Sequence, residues 1–245
     1  MVVTIANQKG GTGKSTTAAA LAQAAALKRK KTLAIDLDPQ GNLSFFLNAN
    51  TAQAGAFDLL EGKPAEAVIQ SAGKYLDIIP ASWNLQTITS SRGSARRLKT
   101  ALEPVKGNYD LIIIDTQPTA GELQYNALMA ATDLIIPVQA DIVGLQGLYQ
   151  MADTARQIQQ SNPQLKLTGY ILTRNKGRST LARQMAEAIK AKAAAMGIPF
   201  LMAIREAVAI QEAQALQQNL FEYAPKSNPA QDYSELLKVI LKNNK

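Results

Sequence analysis

Short apolar runs alternate with longer amphipathic or alanine-rich stretches along this chain of 245 residues. Runs rich in β-branched residues, such as Val2–Ala6 and Thr32–Ile35, predict buried strands, and the stretches between them predict helices. Strands that alternate with helices and are apolar on both sides are typical of parallel sheets covered on both faces. The pattern therefore predicts an α/β fold with a mostly parallel, twisted sheet, helices on both faces and a single domain over residues 1–245.

The same pattern places the remaining elements. Further strands are expected near Leu76–Pro80, Leu111–Ile114, Asp133–Val138, Leu167–Thr173 and Ile198–Met202. Helices are expected near Gly13–Lys28, Ala120–Ala131, Gly144–Gln160, Ser179–Ala195, Glu206–Gln218 and Ala230–Lys242. The alanine-rich segment at residues 18–27 follows a glycine-rich turn, so it is interpreted as a helix and not as a signal peptide.

A glycine-rich loop, Lys-Gly-Gly-Thr-Gly-Lys-Ser-Thr at residues 9–16, directly follows the first predicted strand. Its glycines let the backbone N–H groups converge on phosphate oxygens, and the helix after it adds a positive N-terminal end. Lys14 is placed for the β- and γ-phosphates and Ser15 for Mg²⁺, although Gln8 replaces the first glycine of the usual motif. The predicted nucleotide ligands in this loop are Lys9, Gly10, Gly11, Thr12, Gly13, Lys14, Ser15 and Thr16.

Three carboxylates follow predicted strands near this loop. Asp36 and Asp38 stand two residues apart, so on an extended backbone they point to one face. Asp115 ends the run Leu111–Ile114, where the carboxyl end of a parallel strand meets the ligand, and it would contact Mg²⁺ through water. The alternatives are that Asp38 with Pro39 only starts a turn and that Asp115 is an ordinary solvated strand end.

The loop in its form K-G-G-x-G-K-[ST] resembles that of the ParA/MinD ATPases, a branch of the P-loop NTPases with a deviant phosphate loop. The segment from Asp36 to Gln40 and the segments Ile136–Gln139 and Phe221–Ser227 extend the resemblance over nearly the whole chain, nearest to the ParA/Soj type. By this resemblance Lys9 reaches the nucleotide of a second subunit and Asp38 orients the attacking water. Asp36 then supports the Mg²⁺ shell and Asn175 borders the adenine.

The formal charge of +7 lies entirely in the last third, because residues 156–245 hold 13 Lys and Arg against 6 Asp and Glu. Such an excess favours a polyanion such as the DNA backbone, without base specificity. The resemblance assigns DNA contacts to Arg178 and Arg205, and the charge pattern adds Lys190 and Lys192. The alternative for each is a solvated helix surface, which is also the interpretation of the basic stretch at residues 28–31.

Cysteine and histidine are both missing from the sequence. Thiolate and imidazole metal sites and iron–sulfur clusters are thereby excluded, and Mg²⁺ held by oxygen ligands is the expected metal. The lack of cysteine suits a cytoplasmic protein. An apolar stripe near the C-terminus, which includes Tyr233 and Leu236, is interpreted as core packing, with a membrane-binding helix as the alternative.

The sequence thus predicts a slow, Mg²⁺-dependent ATPase of the partition type. It would form a homodimer with ATP, bind double-stranded DNA nonspecifically on the nucleoid and hydrolyse ATP when a ParB-like adaptor stimulates it. Two alternatives remain open at this point. They are a MinD-like ATPase that cycles on and off membranes and a metabolic P-loop enzyme of the dethiobiotin synthetase type.

Overall fold

The computed structural model describes residues 1–89, 93–175 and 180–242. Within these ranges eight strands form one sheet with the order β3-β4-β2-β5-β1-β6-β7-β8. The strands are β1 Val2–Ile5, β2 Thr32–Leu37, β3 Gln70–Gly73, β4 Leu76–Ile79, β5 Leu111–Thr116, β6 Asp133–Gln139, β7 Lys166–Asn175 and β8 Phe200–Arg205.

All neighbouring strands pair in parallel except β3 and β4, which form an antiparallel pair at one edge. The expected α/β fold with a mostly parallel sheet is therefore confirmed. The edge strand β3 was not predicted, because Gln70–Gly73 contains no apolar run.

Helices cover both faces of the sheet. They are α1 Lys14–Leu27, α2 Asn42–Phe46, α3 Ala56–Leu60, α4 Arg97–Leu102, α5 Glu122–Ala130, α6 Ile142–Gln159, α7 Thr180–Ala195, α8 Val208–Ala215, α9 Leu220–Tyr223 and α10 Asn228–Lys242. On one face, α1 and α10 bury the side chains of alternate strand positions, and on the other face α3 to α7 bury the remaining positions. Ten of the 14 residues of helix α1 are buried, because alanine and leucine occupy every side of most of the helix.

Several predicted boundaries were wrong near the strand ends. The last strand was expected at Ile198–Met202, but β8 begins at Phe200 and continues to Arg205, which pairs with Asn175. Because β8 runs further, α8 is shorter than the expected helix at residues 206–218. Helix α6 begins two residues before Gly144, and β6 extends one residue beyond the predicted end at Val138, to Gln139.

The apolar stripe of α10 lies inside the protein. Tyr233, Leu236, Leu237 and Ile240 are buried in the same core as α1, and the Tyr233 hydroxyl lies 3.2 Å from the Thr17 hydroxyl. The interpretation of the stripe as core packing is thus confirmed. No helix in the described ranges is both long and apolar enough to cross a membrane.

Candidate nucleotide site

The glycine-rich loop connects β1, in the middle of the sheet, to α1 at the carboxyl ends of the strands. Gly13 precedes α1 with a φ of 86°, in the left-handed region that favours glycine. No side chain caps α1, and its first turn contains no acidic residue. The first N–H groups of α1 are therefore available to an anion, as expected of a phosphate site.

Side chains from the next two strands fix the backbone of the loop. The Gln139 side chain donates a hydrogen bond to the Gly11 carbonyl at 2.7 Å, and the Thr173 hydroxyl donates to the Thr12 carbonyl at 2.8 Å. These bonds orient the two carbonyl groups and leave the loop pre-formed. Neither contact has a local signal in the sequence, because both partners lie more than 120 residues from the loop.

Lys14 is buried at the start of α1, with only 6% of its surface exposed. Its ammonium group donates to the Lys9 carbonyl at 3.3 Å, within the loop. Burial lowers the pKa of Lys14, while the nearby Asp115 and Asp38 carboxylates oppose that shift. The Thr16 hydroxyl accepts a hydrogen bond from Gln214 at 3.0 Å, so this predicted ligand also packs against α8.

Asp36 and Asp115 are neighbours, because β2 and β5 pair these two residues directly. Asp36 is fully buried and accepts three hydrogen bonds, from the Asp38 amide at 3.0 Å and from the Ser44 amide and hydroxyl at 2.8 and 2.7 Å. Burial raises the pKa of Asp36 to about 6, and the bonds from Ser44 oppose the rise. Asp38 is largely buried too, and it accepts a bond from the Gln40 amide at 3.0 Å.

Asp115 differs from Asp36 because no donor lies in hydrogen-bonding geometry with either of its buried carboxylate oxygens. Burial, and then the Asp36 carboxylate, raise the pKa of Asp115 well above its ordinary value, while the nearby Ser15 hydroxyl and Lys14 oppose the rise. An unsatisfied buried carboxylate is costly unless a cation or water completes it. This donor fits Mg²⁺, which prefers one or two carboxylates together with phosphate and water oxygens. In the described part of the chain no group of three or more acidic side chains could hold a metal alone.

Lys9 points away from the loop. Its ammonium group lies 2.8 and 2.9 Å from the two carboxylate oxygens of Asp141, which precedes α6 as its N-cap. The next two residues, Ile142 and Val143, are 75% and 52% exposed. Asp141 was not among the predicted site residues, although an Asp before an apolar helical pattern is a signal for the start of a helix.

The predicted DNA contacts are mostly engaged within the chain. The Arg205 guanidinium binds Asp232 of α10 through Nε, at 3.0 and 3.1 Å, and through Nη2, at 2.5 Å. Lys190 pairs with Glu187 at 2.9 Å, whereas Lys192 on the same helix is exposed. Arg178 lies outside the described residues.

Asn175 ends β7 near the loop, but it does not line the hollow beside Gly13, whereas the preceding Arg174 does. A cavity of about 850 Å³ lies around Leu27 at the other end of α1, and none of the predicted site residues lines it. The predicted nucleotide ligands lie instead at the carboxyl ends of the strands.

Comparison with known proteins agrees with this geometry. A family model described as an AAA domain matches residues 1–167. The chromosome-partitioning ATPase Soj of Thermus thermophilus is 33% identical over 241 residues, which cover 98% of this chain and 94% of that protein. The chain belongs to the ParA/Soj family of P-loop ATPases. The sporulation initiation inhibitor protein Soj of Bacillus subtilis is 34% identical and covers 99% of this chain and 98% of its own length.

Solved structures with the same fold include nucleotide complexes. Cobyrinic acid a,c-diamide synthase from Mycobacterium smegmatis, with a bound ATP analogue and magnesium, has a TM-score of 0.85 and 29% identity, covering 99% of this chain and 94% of that one. Apo McdA from Cyanothece has a TM-score of 0.84 and 25% identity, covering 96% and 98%. The family therefore uses ATP with magnesium.

Proposed function

We propose that this chain is a partition ATPase that binds ATP with Mg²⁺, dimerises around the nucleotide and binds DNA nonspecifically. A ParB-like adaptor then stimulates its slow hydrolysis, and the protein works on the nucleoid in the cytoplasm. We also propose that residues 1–245 form one P-loop domain, since every described strand belongs to one sheet. The similarity to the chromosome-partitioning ATPase Soj supports the partition role.

The observation that carries the dimer proposal is the different direction of the two loop lysines. Lys14 is buried within its own loop, whereas the Lys9 ammonium lies at the edge against Asp141, beside the exposed Ile142 and Val143. A cation and apolar side chains on one surface suit contact with a second subunit that carries a triphosphate.

The positions of the side chains support the following proposed roles. The N–H groups of Gly10 to Thr16 and the Lys14 ammonium bind the phosphates, while Ser15 and Asp115 hold Mg²⁺. ATP supplies the phosphoryl group, and Mg²⁺ neutralises its charge when bound. Asp38 orients the attacking water. Asp36 acts on the metal through its neighbours, because Ser44 and Asp38 already occupy its oxygens.

The DNA contacts are proposed for Arg178, Arg205, Lys190 and Lys192, and Asn175 is proposed to lie near the base of the nucleotide. Arg205 keeps Nη1 available for a phosphate while Asp232 holds its other nitrogens. Nonspecific DNA binding needs only contacts of this kind to the phosphates of the DNA backbone.

The test is sedimentation of the wild type and Lys9→Ala with ATP, ADP or no nucleotide. The wild type should form a dimer only when ATP and Mg²⁺ are present. In that state it should also retain DNA on a filter. Lys9→Ala should bind ATP within about threefold of the wild type but dimerise at least tenfold more weakly, because the charge-assisted contact between subunits is lost. A wild type that stays monomeric at saturating ATP would refute the proposal.

A metabolic role is the second candidate, favoured by the fold shared with the diamide synthase. The basic last third and the higher identity to the Soj proteins argue against it. An ATPase rate that responds to neither DNA nor any adaptor would favour this second role. The membrane-cycling alternative is disfavoured because the stripe of α10 is buried.

A further inference from the structure

Asp141 pairs with the Lys9 ammonium group, which in the proposed dimer would contact the nucleotide of the second subunit. Both of its carboxylate oxygens contact Lys9 Nζ, and the two side chains are 44% and 21% exposed. We propose that Asp141 is a positioning residue that keeps Lys9 against its own subunit and thereby sets how readily ATP-driven dimers form. The inference rests on the proposed dimer, and it assigns to Asp141 a role in controlling the assembly of that site.

The carboxylate of Asp141 has a fixed position. As the N-cap of α6 it accepts a hydrogen bond from the Gly144 amide at 2.5 Å. A Cβ at Gly144 would lie 2.1 Å from the Gln139 carbonyl, so only glycine allows α6 to start this close to β6. The Gln139 side chain also donates to the Gly11 carbonyl, so Gln139 contacts both the start of α6 and the glycine-rich loop. Lys9 is therefore paired with an anion that is built into the site.

The Lys9 ammonium has two competing anionic partners in the proposed dimer. One is Asp141 of its own chain, and the other is the triphosphate of the second subunit. Moving to the triphosphate gives up the pair with Asp141. A partly exposed ion pair of this kind is weak, so it makes the move of Lys9 to the triphosphate less favourable without preventing it. Since a symmetric dimer gives up two such pairs, the effect on assembly is doubled in free energy.

Asp141→Asn separates the charge of this residue from its capping role. Asn keeps a side-chain oxygen for the Gly144 amide and is as good an N-cap as Asp, so α6 should stay intact. Asp153→Asn is a matched control, because Asp153 lies on the same helix and pairs with Arg156 at 2.9 Å, away from Lys9.

The first measurement is the dimer dissociation constant by sedimentation with saturating ATP and Mg²⁺. Asp141→Asn should lower this constant by about 3- to 30-fold relative to the wild type, and Asp153→Asn should leave it unchanged. The double variant Lys9→Ala/Asp141→Asn should dimerise like Lys9→Ala alone, because Asp141 acts through Lys9. A gain that persists without Lys9, or a weaker dimer in Asp141→Asn, would overturn the inference.

The second measurement needs no nucleotide. Acetic anhydride at a limiting concentration, followed by mass spectrometry of the peptide that contains Lys9, reports how free the ammonium group is. Labelling of Lys9 should rise several-fold in Asp141→Asn and stay at the wild-type level in Asp153→Asn; equal labelling in all three proteins would overturn the inference. If the wild type fails to dimerise with ATP, the proposed function fails, while this labelling still decides whether Asp141 holds Lys9.

Discussion

Two regions of the molecule differ in how deeply their charged side chains are buried. One is the nucleotide edge, the carboxyl ends of the strands around Lys14, Asp36 and Asp115, and the other is the basic last third of the chain, residues 156–245. At the nucleotide edge, Lys14, Asp36 and Asp115 are buried close together. In the last third, Lys192 is exposed and Lys190 pairs with a carboxylate on the surface. Burying a charge costs free energy, so a buried charged group indicates a specific ligand. Exposed charges act together, through the electrostatic field that they sum to at the surface.

This difference means that the two regions should respond differently to substitution. A single change at the nucleotide edge should remove one named function. A single change in the last third should reduce DNA binding by a modest factor and change its dependence on salt.

The largest effect is expected for Lys14→Ala. Losing the buried ammonium at the phosphates should weaken ATP binding at least about 100-fold, since charge-assisted contacts in a desolvated site are strong. Titration calorimetry measures the affinity, and a thermal melt checks the fold. Lys28→Ala, at the far end of α1, is the control and should bind like the wild type. Binding by Lys14→Ala within threefold of the wild type would contradict the assignment.

A large effect on hydrolysis alone is expected for Asp38→Ala. Phosphate release should fall about 100-fold or more, as is usual for loss of a positioned base, while the ATP dimer persists in sedimentation. Asp38→Asn separates catalysis from the turn, because Asn can still accept from the Gln40 amide. If Asp38→Asn hydrolyses ATP at the wild-type rate, Asp38 only shapes the turn.

The smallest effect is expected for Lys192→Glu. Affinity for a random DNA duplex should fall about 3- to 10-fold and the salt slope should decrease by about one, with unchanged ATP binding. Lys166→Glu makes the same charge change at an exposed position at the start of β7, outside α7. Equal losses in both variants would show that net charge matters and that this surface of α7 does not.

The comparison also shows what could be predicted from the sequence. Apolar runs located seven of the eight described strands, since most of those strands are buried and the partly buried β8 is apolar apart from Arg205. The loop and its carboxylates were located because phosphate binding needs particular residues at fixed spacing. Asp115 lies beside Asp36, and the sequence could not show that the Asp38 amide and Ser44 already bind the Asp36 carboxylate.

Contacts that span long sequence separations could not be predicted. The pairs Lys9–Asp141, Gln139–Gly11 and Arg205–Asp232 follow from strand order and local packing, which residue spacing does not specify. In the last third, charge composition pointed to a polyanion, but it could not tell the exposed Lys192 from residues that are already paired.

The contact between α10 and α1 has a consequence for how the protein is made. Tyr233 and Thr17 touch across 216 residues of sequence, and α10 covers apolar surface of the helix that begins the phosphate loop. A growing polypeptide therefore leaves the ribosome with that surface of α1 exposed until the segment around Tyr233 has emerged. Competence to bind nucleotide should thus arise late in translation, when the segment around Tyr233 closes over α1.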